Sequence, residues 1–270
     1  MTSSATDDRY SRQSFLGPNA EKLISDCRLG IIGLGGGGSH VVQQAGHIGF
    51  QNVRTFDADH VEESNLNRLI GATVADVEMM TSKGAVAERL YKGLQPTGDF
   101  VHVPSRWQDD ESNSLRLCDV VISCVDSLAD RLDLEKSCRR YSILMIDIGM
   151  DIRTIPGQPP RCAGQIAVSM PGHHCLHCLG FRDHSTAPRY GDAGPRPQVV
   201  WSNGVLASTA VGLTVDLVTG WTGGRVPHLH LLYDGNLNTV MPHPLLETWL
   251  ARPCPHFSLS QLGDPAFPPP

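Results

Sequence analysis

Three separated groups of residues carry the chemistry this chain offers. The first is the stretch "GIIGLGGGGSHVV", six glycines in thirteen residues, in which Gly33, Gly35 and Gly38 satisfy the pattern GxGxxG with Gly36 inside it. The second is "DADHVEESNLNRL", which gathers Asp57, Asp59, Asn65, Asn67 and Arg68, with Lys83 following shortly after. The third is Asp126, at the end of the apolar run "VVISCV". Glycines at a strand-to-helix turn let a phosphate approach bare backbone, and the helix N-terminus adds free N–H groups and partial positive charge. An acid at the end of the next strand, here Asp57 or Asp59, sits where ribose hydroxyls are bound. A nucleotide that is only held needs little more. Additional carboxylates and amides suit Mg²⁺, and cations such as Arg68 and Lys83 neutralise charge that develops on a phosphate being cut. Mn²⁺ would fit the same oxygen ligands.

The elements around these groups alternate. A short helix is expected over residues 19–26, then "RLGIIG" reads as a buried strand, followed by the glycine turn and a helix over residues 37–48. "NVRTFDAD" is a second strand, "TSKGAVAERLYKGL" an amphipathic helix with Thr81 or Ser82 as N-cap, and "DFVHVP" a third strand. "DESNSLRL" is read as helical, "DVVISCV" as a strand, "LADRLDLEKSCRRY" as a helix and "ILMIDIG" as a strand. The fold expected is α/β and Rossmann-like: a doubly wound, mostly parallel sheet with helices on both faces. After Gly149 the rhythm changes: "GQIAVSM" is strand-like, residues 180–203 read as a long loop, an apolar helix follows, and "HLHLLYDGNLNTVMP" reads as a hairpin turning at Asp234–Asn236. This adds an antiparallel C-terminal extension. Residues 1–270 are expected to form one domain, with loose tails at 1–8 and 258–270.

Composition narrows the classes. With 40% hydrophobic and 19% charged residues in 270, the chain is globular rather than disordered. A net charge of −6 argues against a broad nucleic-acid face, and nothing in it suggests a membrane partner. The start "MTSSATDDRYSRQ" is no secretory signal, and the apolar stretch from Val205 contains Asp216, so a cytoplasmic location is expected. In a reducing compartment the eight cysteines favour metal over disulfides, and Cys175 and Cys178 in "HHCLHCLGF" have zinc-ligand spacing.

The spread "RYSRQ … GLGGGGS … DADHVEESNLNR … K … SCVDS" resembles the ubiquitin-activating-enzyme-like superfamily, which includes the ThiF, MoeB and HesA adenylyltransferases. The similarity runs from about Arg9 to Asp234, with its separated segments in order. It implies an enzyme that binds MgATP and adenylates the C-terminal glycine carboxylate of a ubiquitin-fold carrier ending in Gly-Gly, releasing pyrophosphate. By the same resemblance the glycines from Gly33 to Gly38 lie against the phosphates, and Asp57 holds the ribose with Asp59 assisting. Asn65, Arg68 and Lys83 contact the phosphates, and Asp126 binds Mg²⁺. Arg12 reaches into a neighbouring subunit's site, which makes the active unit a homodimer. Leu69 departs from the family, which usually has Gln there. The alternatives are a tRNA-modifying dehydratase or peptide adenylyltransferase of the same superfamily, or a nucleotide-binding scaffold that no longer turns over.

Relatives often carry a second CxxC near the C-terminus. Here "RPCPHF" supplies Cys254, with Phe257 where a fourth cysteine would stand. A structural zinc site of three cysteines and one histidine is the form expected, with His256 preferred and His173, His174 or His177 as other donors. The loop over residues 182–202, where thioester-forming relatives keep a nucleophile, contains no cysteine. Adenylation without an enzyme thioester is therefore expected.

Overall fold

The computed structural model describes residues 8–181, 197–223, 229–251 and 253–257. Eight strands form one sheet: β1 (Arg28–Ile32), β2 (Asn52–Phe56), β3 (Asp99–Val103), β4 (Val120–Ser123), β5 (Leu144–Arg153), β6 (Arg161–Ser169), β7 (His230–Asp234) and β8 (Thr239–Pro242). Their order is β3-β2-β1-β4-β5-β6-β7-β8. β1 to β5 pair in parallel, while β5 to β8 pair antiparallel. β4 is buried at every position and β1 at all but its first, as expected of strands covered on both faces.

The helices are α1 (Ala20–Asp26), α2 (Gly36–Ile48), α3 (Val74–Glu78), α4 (Lys83–Lys92), α5 (Leu128–Arg140), α6 (Val200–Thr219) and α7 (Leu246–Leu250). From β1 the chain moves one way along the sheet to β2, and from β4 the other way to β5. Right-handed crossovers therefore set α2 and α5 on opposite faces. α2 packs against α4 and α6, and α5 covers β4 and β5. Local chemistry sets the ends of these helices. Ser82 Oγ accepts from the Ala85 N–H at 3.1 Å to open α4, the side chain of Ser127 caps α5, and left-handed Gly49 (φ +107°) closes α2. No helix among the described residues is long and apolar enough to cross a membrane.

Four local readings change. The "DESNSLRL" stretch is only a 3₁₀ turn over Ser114–Leu117. Asp110 takes the N–H groups of Ser112 (3.1 Å) and Ser114 (2.7 Å), and Asn113 is left-handed (φ 49°), so an α-helix cannot start there. β5 runs past Gly149 because β6 offers its partner edge as far as Arg153↔Arg161. α6 begins at Val200, inside the span read as loop, and residues 182–196 of that span lie outside the described residues. Asp8–Leu16 forms a 3₁₀ helix next to the expected N-terminal tail; residues 1–7 and the tail at 258–270 lie outside the described residues.

Candidate functional site

The strand order reverses between β1 and β4, and there the carboxyl ends of β1, β2 and β4 open a cleft of ≈ 250 Å³. Gly33, Gly35 and Gly36, the acids Asp57, Asp59 and Asp126, and the cations Arg68 and Lys83 all line it. Gly33 is left-handed (φ +87°), donates its N–H to Phe56 O at 2.9 Å, and would bring a Cβ to 3.0 Å from Cys124 O. Gly38 lies in the first turn of α2, where any Cβ would collide with the Gly33 carbonyl; its role is close helix–strand packing, and it does not line the cleft.

The glycine turn orients the β2 acid. Asp57 accepts from the Leu34 N–H at 2.6 Å and from the Asp59 N–H at 2.8 Å, which leaves lone pairs on both oxygens for a ligand. Asp59 in turn holds Lys83: their main chains bond at 3.0 Å, and Nζ donates to Oδ2 at 2.7 Å with the lysine side chain 13% exposed. Arg68 Nη1 donates to Ser64 O (2.5 Å) and Asn67 Oδ1 (3.0 Å). Asp126 is exposed at the mouth, directly before the Ser127 cap of α5.

Asn65 and Asn67 stand back from the cleft. Asn65 is buried, its Oδ1 accepting from the Glu62 N–H in a capping box, while Asn67 Nδ2 donates to Gln198 O at 3.1 Å. Leu69 is buried with Val61 and Val86 in a small apolar cluster. Arg12 is exposed on the N-terminal 3₁₀ helix and does not line the cleft of its own chain. Its neighbour Gln13 bonds Ile48 O, and Tyr10 lies against Gly49. That helix is therefore docked at the far end of α2 from the glycine turn. A 13-residue helix spans about 20 Å.

Sequence reasoning missed several cleft residues. Arg131 lines it while donating Nε to Val125 O (2.9 Å) and Nη1 to Asp147 Oδ2 (3.0 Å). Asp147 is fully buried and also accepts from Ser123 Oγ at 2.8 Å. Burial pushes its carboxyl above the usual range against the pull of Arg131 and Ser123. After β3, Arg106 and Gln108 donate to Asp130 Oδ1 at 2.7 and 3.0 Å. Between them Trp107 is buried in the cleft wall, its Nε1–H meeting no acceptor among the described residues. A signal for Arg131 was present: charges at 131, 135 and 139 recur at four-residue spacing on one helix face.

A second cluster lies beside the last turns of α5, whose Glu135 and Arg139 bond the backbone around Cys175. Cys175, Cys178, Cys254 and His256 place their donor atoms within 4.8 Å of one another. The Cys175 and Cys178 sulfurs are 3.7 Å apart, and each is 3.4 Å from His256 Nδ1. Tetrahedral zinc with Zn–S of ≈ 2.3 Å and Zn–N of ≈ 2.0 Å puts S···S at about 3.8 Å and S···N at about 3.5 Å. The donor set therefore fits zinc in both chemistry and spacing. Burial raises the Cys175 and Cys178 thiols. Burial would raise Cys254 as well, but hydrogen bonds from the His256 and Phe257 backbone and from the other two cysteines bring it to about 7. His177 stacks on His256, centroids 5.1 Å apart, outside the ligand set. Of the other five cysteines, Cys27, Cys118 and Cys138 are buried and burial pushes their thiols up; half-buried Cys124, on the cleft wall, is raised likewise, and Cys162 Sγ lies 3.2 Å from Ser202 Oγ.

The family model described as the ThiF family matches residues 9–248. The chain belongs to the ThiF family. Among curated relatives, the sulfur carrier protein ThiS adenylyltransferase of Bacillus subtilis is 26% identical over 63% of this chain and 50% of its own length. The SAMP-activating enzyme E1 of Haloferax volcanii is 28% identical over 64% of this chain and 61% of its own. The molybdopterin-synthase adenylyltransferase of Escherichia coli is 26% identical over 79% and 82%. The chain thus spans only a half to three-fifths of the first two of these ThiF-family relatives. In fold it matches the crystal structure of E. coli MccB with MccA-N7isoASN at a TM-score of 0.71, with 16% identity over 88% of this chain and 71% of that one.

Proposed function

We propose that this ThiF-family chain is an adenylyltransferase that activates the C-terminal glycine carboxylate of a ubiquitin-fold carrier protein ending in Gly-Gly. The observation that carries the reading is the convergence of the glycine turn, Asp57, Arg68, Lys83 and Asp126 on one cleft. The names of the ThiS, SAMP and molybdopterin-synthase relatives supply the substrate class.

The roles follow from position. The N-terminus of α2 takes the phosphates of ATP on its free N–H groups. Asp57, already oriented by the Leu34 and Asp59 amides, accepts the ribose hydroxyls. Trp107 lines the cleft and offers an apolar wall for the base. Asp126 is one exposed carboxylate at the phosphate end, which suits Mg²⁺, an ion that keeps waters and substrate phosphates as most of its ligands. When bound there, Mg²⁺ supplies charge to the phosphates. The carrier's carboxylate oxygen attacks the α-phosphorus, forming the acyl-phosphate bond as the α–β bridging bond breaks and pyrophosphate leaves. Arg68 and Lys83 neutralise the charge moving onto the leaving oxygens, with Asp59 steering the lysine.

Arg12 belongs in the same scheme if it acts from a second copy. Its place at the far end of α2 keeps it from its own cleft, which supports a homodimer with sites completed in trans. The carrier adenylate passes on without an enzyme thioester, in keeping with the raised thiols of the buried cysteines. The Cys175, Cys178, Cys254 and His256 group holds structural zinc. ATP–pyrophosphate exchange tests the reading: exchange should require Mg²⁺ and a carrier with a free Gly-Gly end, and stop when that end is removed. Exchange with no carrier of this class would overturn it.

A further inference from the structure

Helix α5 carries charge on its buried side. Arg131, Glu135 and Arg139 recur at four-residue spacing and are 8%, 0% and 3% exposed, where an amphipathic helix places apolar groups. Burying charge is costly unless each group is paired and bonded, so the partners identify the task. Arg131 serves the cleft. The other two end on the cysteine knuckle.

Glu135 Oε1 accepts from the Leu176 N–H at 2.8 Å, the residue directly after Cys175, and from Ser169 Oγ at the end of β6. Arg139 donates Nη1 to His173 O at 3.2 Å and Nη2 to His174 O at 2.8 Å, the two residues before Cys175. Its Nε and Nη2 also donate to Ser169 Oγ at 3.1 and 2.9 Å, and it bonds Glu135 at 3.4 Å. On its other side the guanidinium lies 4.7 Å from the ring of Phe257, the residue after His256. One buried ion pair thus grips the chain on both sides of Cys175 and just beyond His256. These two ligands come from segments about 80 residues apart in sequence, a loop whose closure costs entropy unless something holds it.

We infer that Glu135 and Arg139 are positioning residues for the metal: they fix the backbone of both ligand segments so that Cys175, Cys178, Cys254 and His256 converge on one ion. The inference rests on the zinc reading above. It treats the pair as the outer support of the ligands, the kind of contact whose loss weakens metal binding without removing a ligand. Lysine at position 139 keeps the charge opposite Glu135, but a single ammonium cannot span two carbonyls and Ser169 as the planar fork does.

The test is zinc affinity of the full chain, measured by competition with a chromophoric chelator, together with the Tm of the zinc-free and zinc-loaded forms. Wild type should bind one zinc, and Arg139→Lys should weaken zinc about 10- to 100-fold. It should also shrink the Tm difference between loaded and zinc-free protein. A merely structural role would lower both Tm values together and leave affinity unchanged, and that result overturns the inference. If Arg139→Lys does not fold, Phe257→Leu removes the contact on the second ligand segment and should speed zinc release several-fold; an unchanged rate overturns the inference equally. Wild type that holds no zinc would instead overturn the zinc reading itself.

Discussion

Arg131→Met tests the buried pair at the cleft floor. The Arg131 side chain is 10% exposed and Asp147 is 0% exposed, with Nη1 and Oδ2 3.0 Å apart. Methionine keeps the stem and removes the guanidinium, leaving Asp147 with one hydroxyl bond, from Ser123. Breaking a buried ion pair from one side costs about 3–5 kcal/mol, because the other charge stays behind unpaired. Loss of the Nε bond to Val125 O adds about 1 kcal/mol. Urea unfolding at neutral pH should therefore show a loss of about 4–6 kcal/mol. Replacing both partners, as in Arg131→Met with Asp147→Leu, removes the stranded charge and should return stability to within about 1 kcal/mol of wild type. The double variant should still bind ATP more weakly, since Val125, next to Asp126, has lost its donor. A single-variant cost under 1 kcal/mol, or a double variant no better than the worse single, would refute the reasoning.

Three further outcomes are expected. Gly38→Ala drives a methyl into the Gly33 carbonyl and should destabilise the protein and weaken ATP binding together; calorimetry and nucleotide titration check both. Burial, and then the stacked His243, push the His230 imidazole down to about 4, so the folded state favours its neutral form. That stability is fully present above the unfolded pKa near 6.5 and falls with pH toward 4, by about 2 kcal/mol at pH 5. Urea curves at pH 7 and 5 should show a smaller fall in His230→Phe than in wild type, the remainder coming from His40, His102 and His243, which burial also pushes down. Mixing the inactive variants Arg12→Ala and Asp126→Ala should restore exchange, because one site of each mixed dimer is then intact; no recovery contradicts action in trans.

Much of the site was legible because its chemistry is local. The glycine turn, the acid after β2 and Asp126 after β4 each follow a strand end, and strand ends are what alternating apolar runs reveal. The cysteine knuckle was legible from two spacings and the nearby histidine. What escaped depends on three-dimensional closure. Nothing in "PSRWQDD" says that Trp107 joins the cleft wall, because that follows from Asp130 on α5 drawing in Arg106 and Gln108. The resemblance implied that Asn65 contacts the phosphates, yet its Oδ1 accepts from the Glu62 N–H in a capping box. The charged face of α5 contradicts amphipathic patterning, since its partners come from β5, β6 and the knuckle, none of them adjacent in sequence.

The central claim is that the cleft cuts ATP at its α-phosphorus with Asp126 holding the metal. The most direct measurement is carrier-dependent ATP–pyrophosphate exchange for wild type beside Asp126→Ala, with ATP affinity determined for both in the absence of Mg²⁺. The account predicts exchange in wild type, a loss of at least about 100-fold in the variant, and equal metal-free ATP affinity. Undiminished exchange by Asp126→Ala would contradict it.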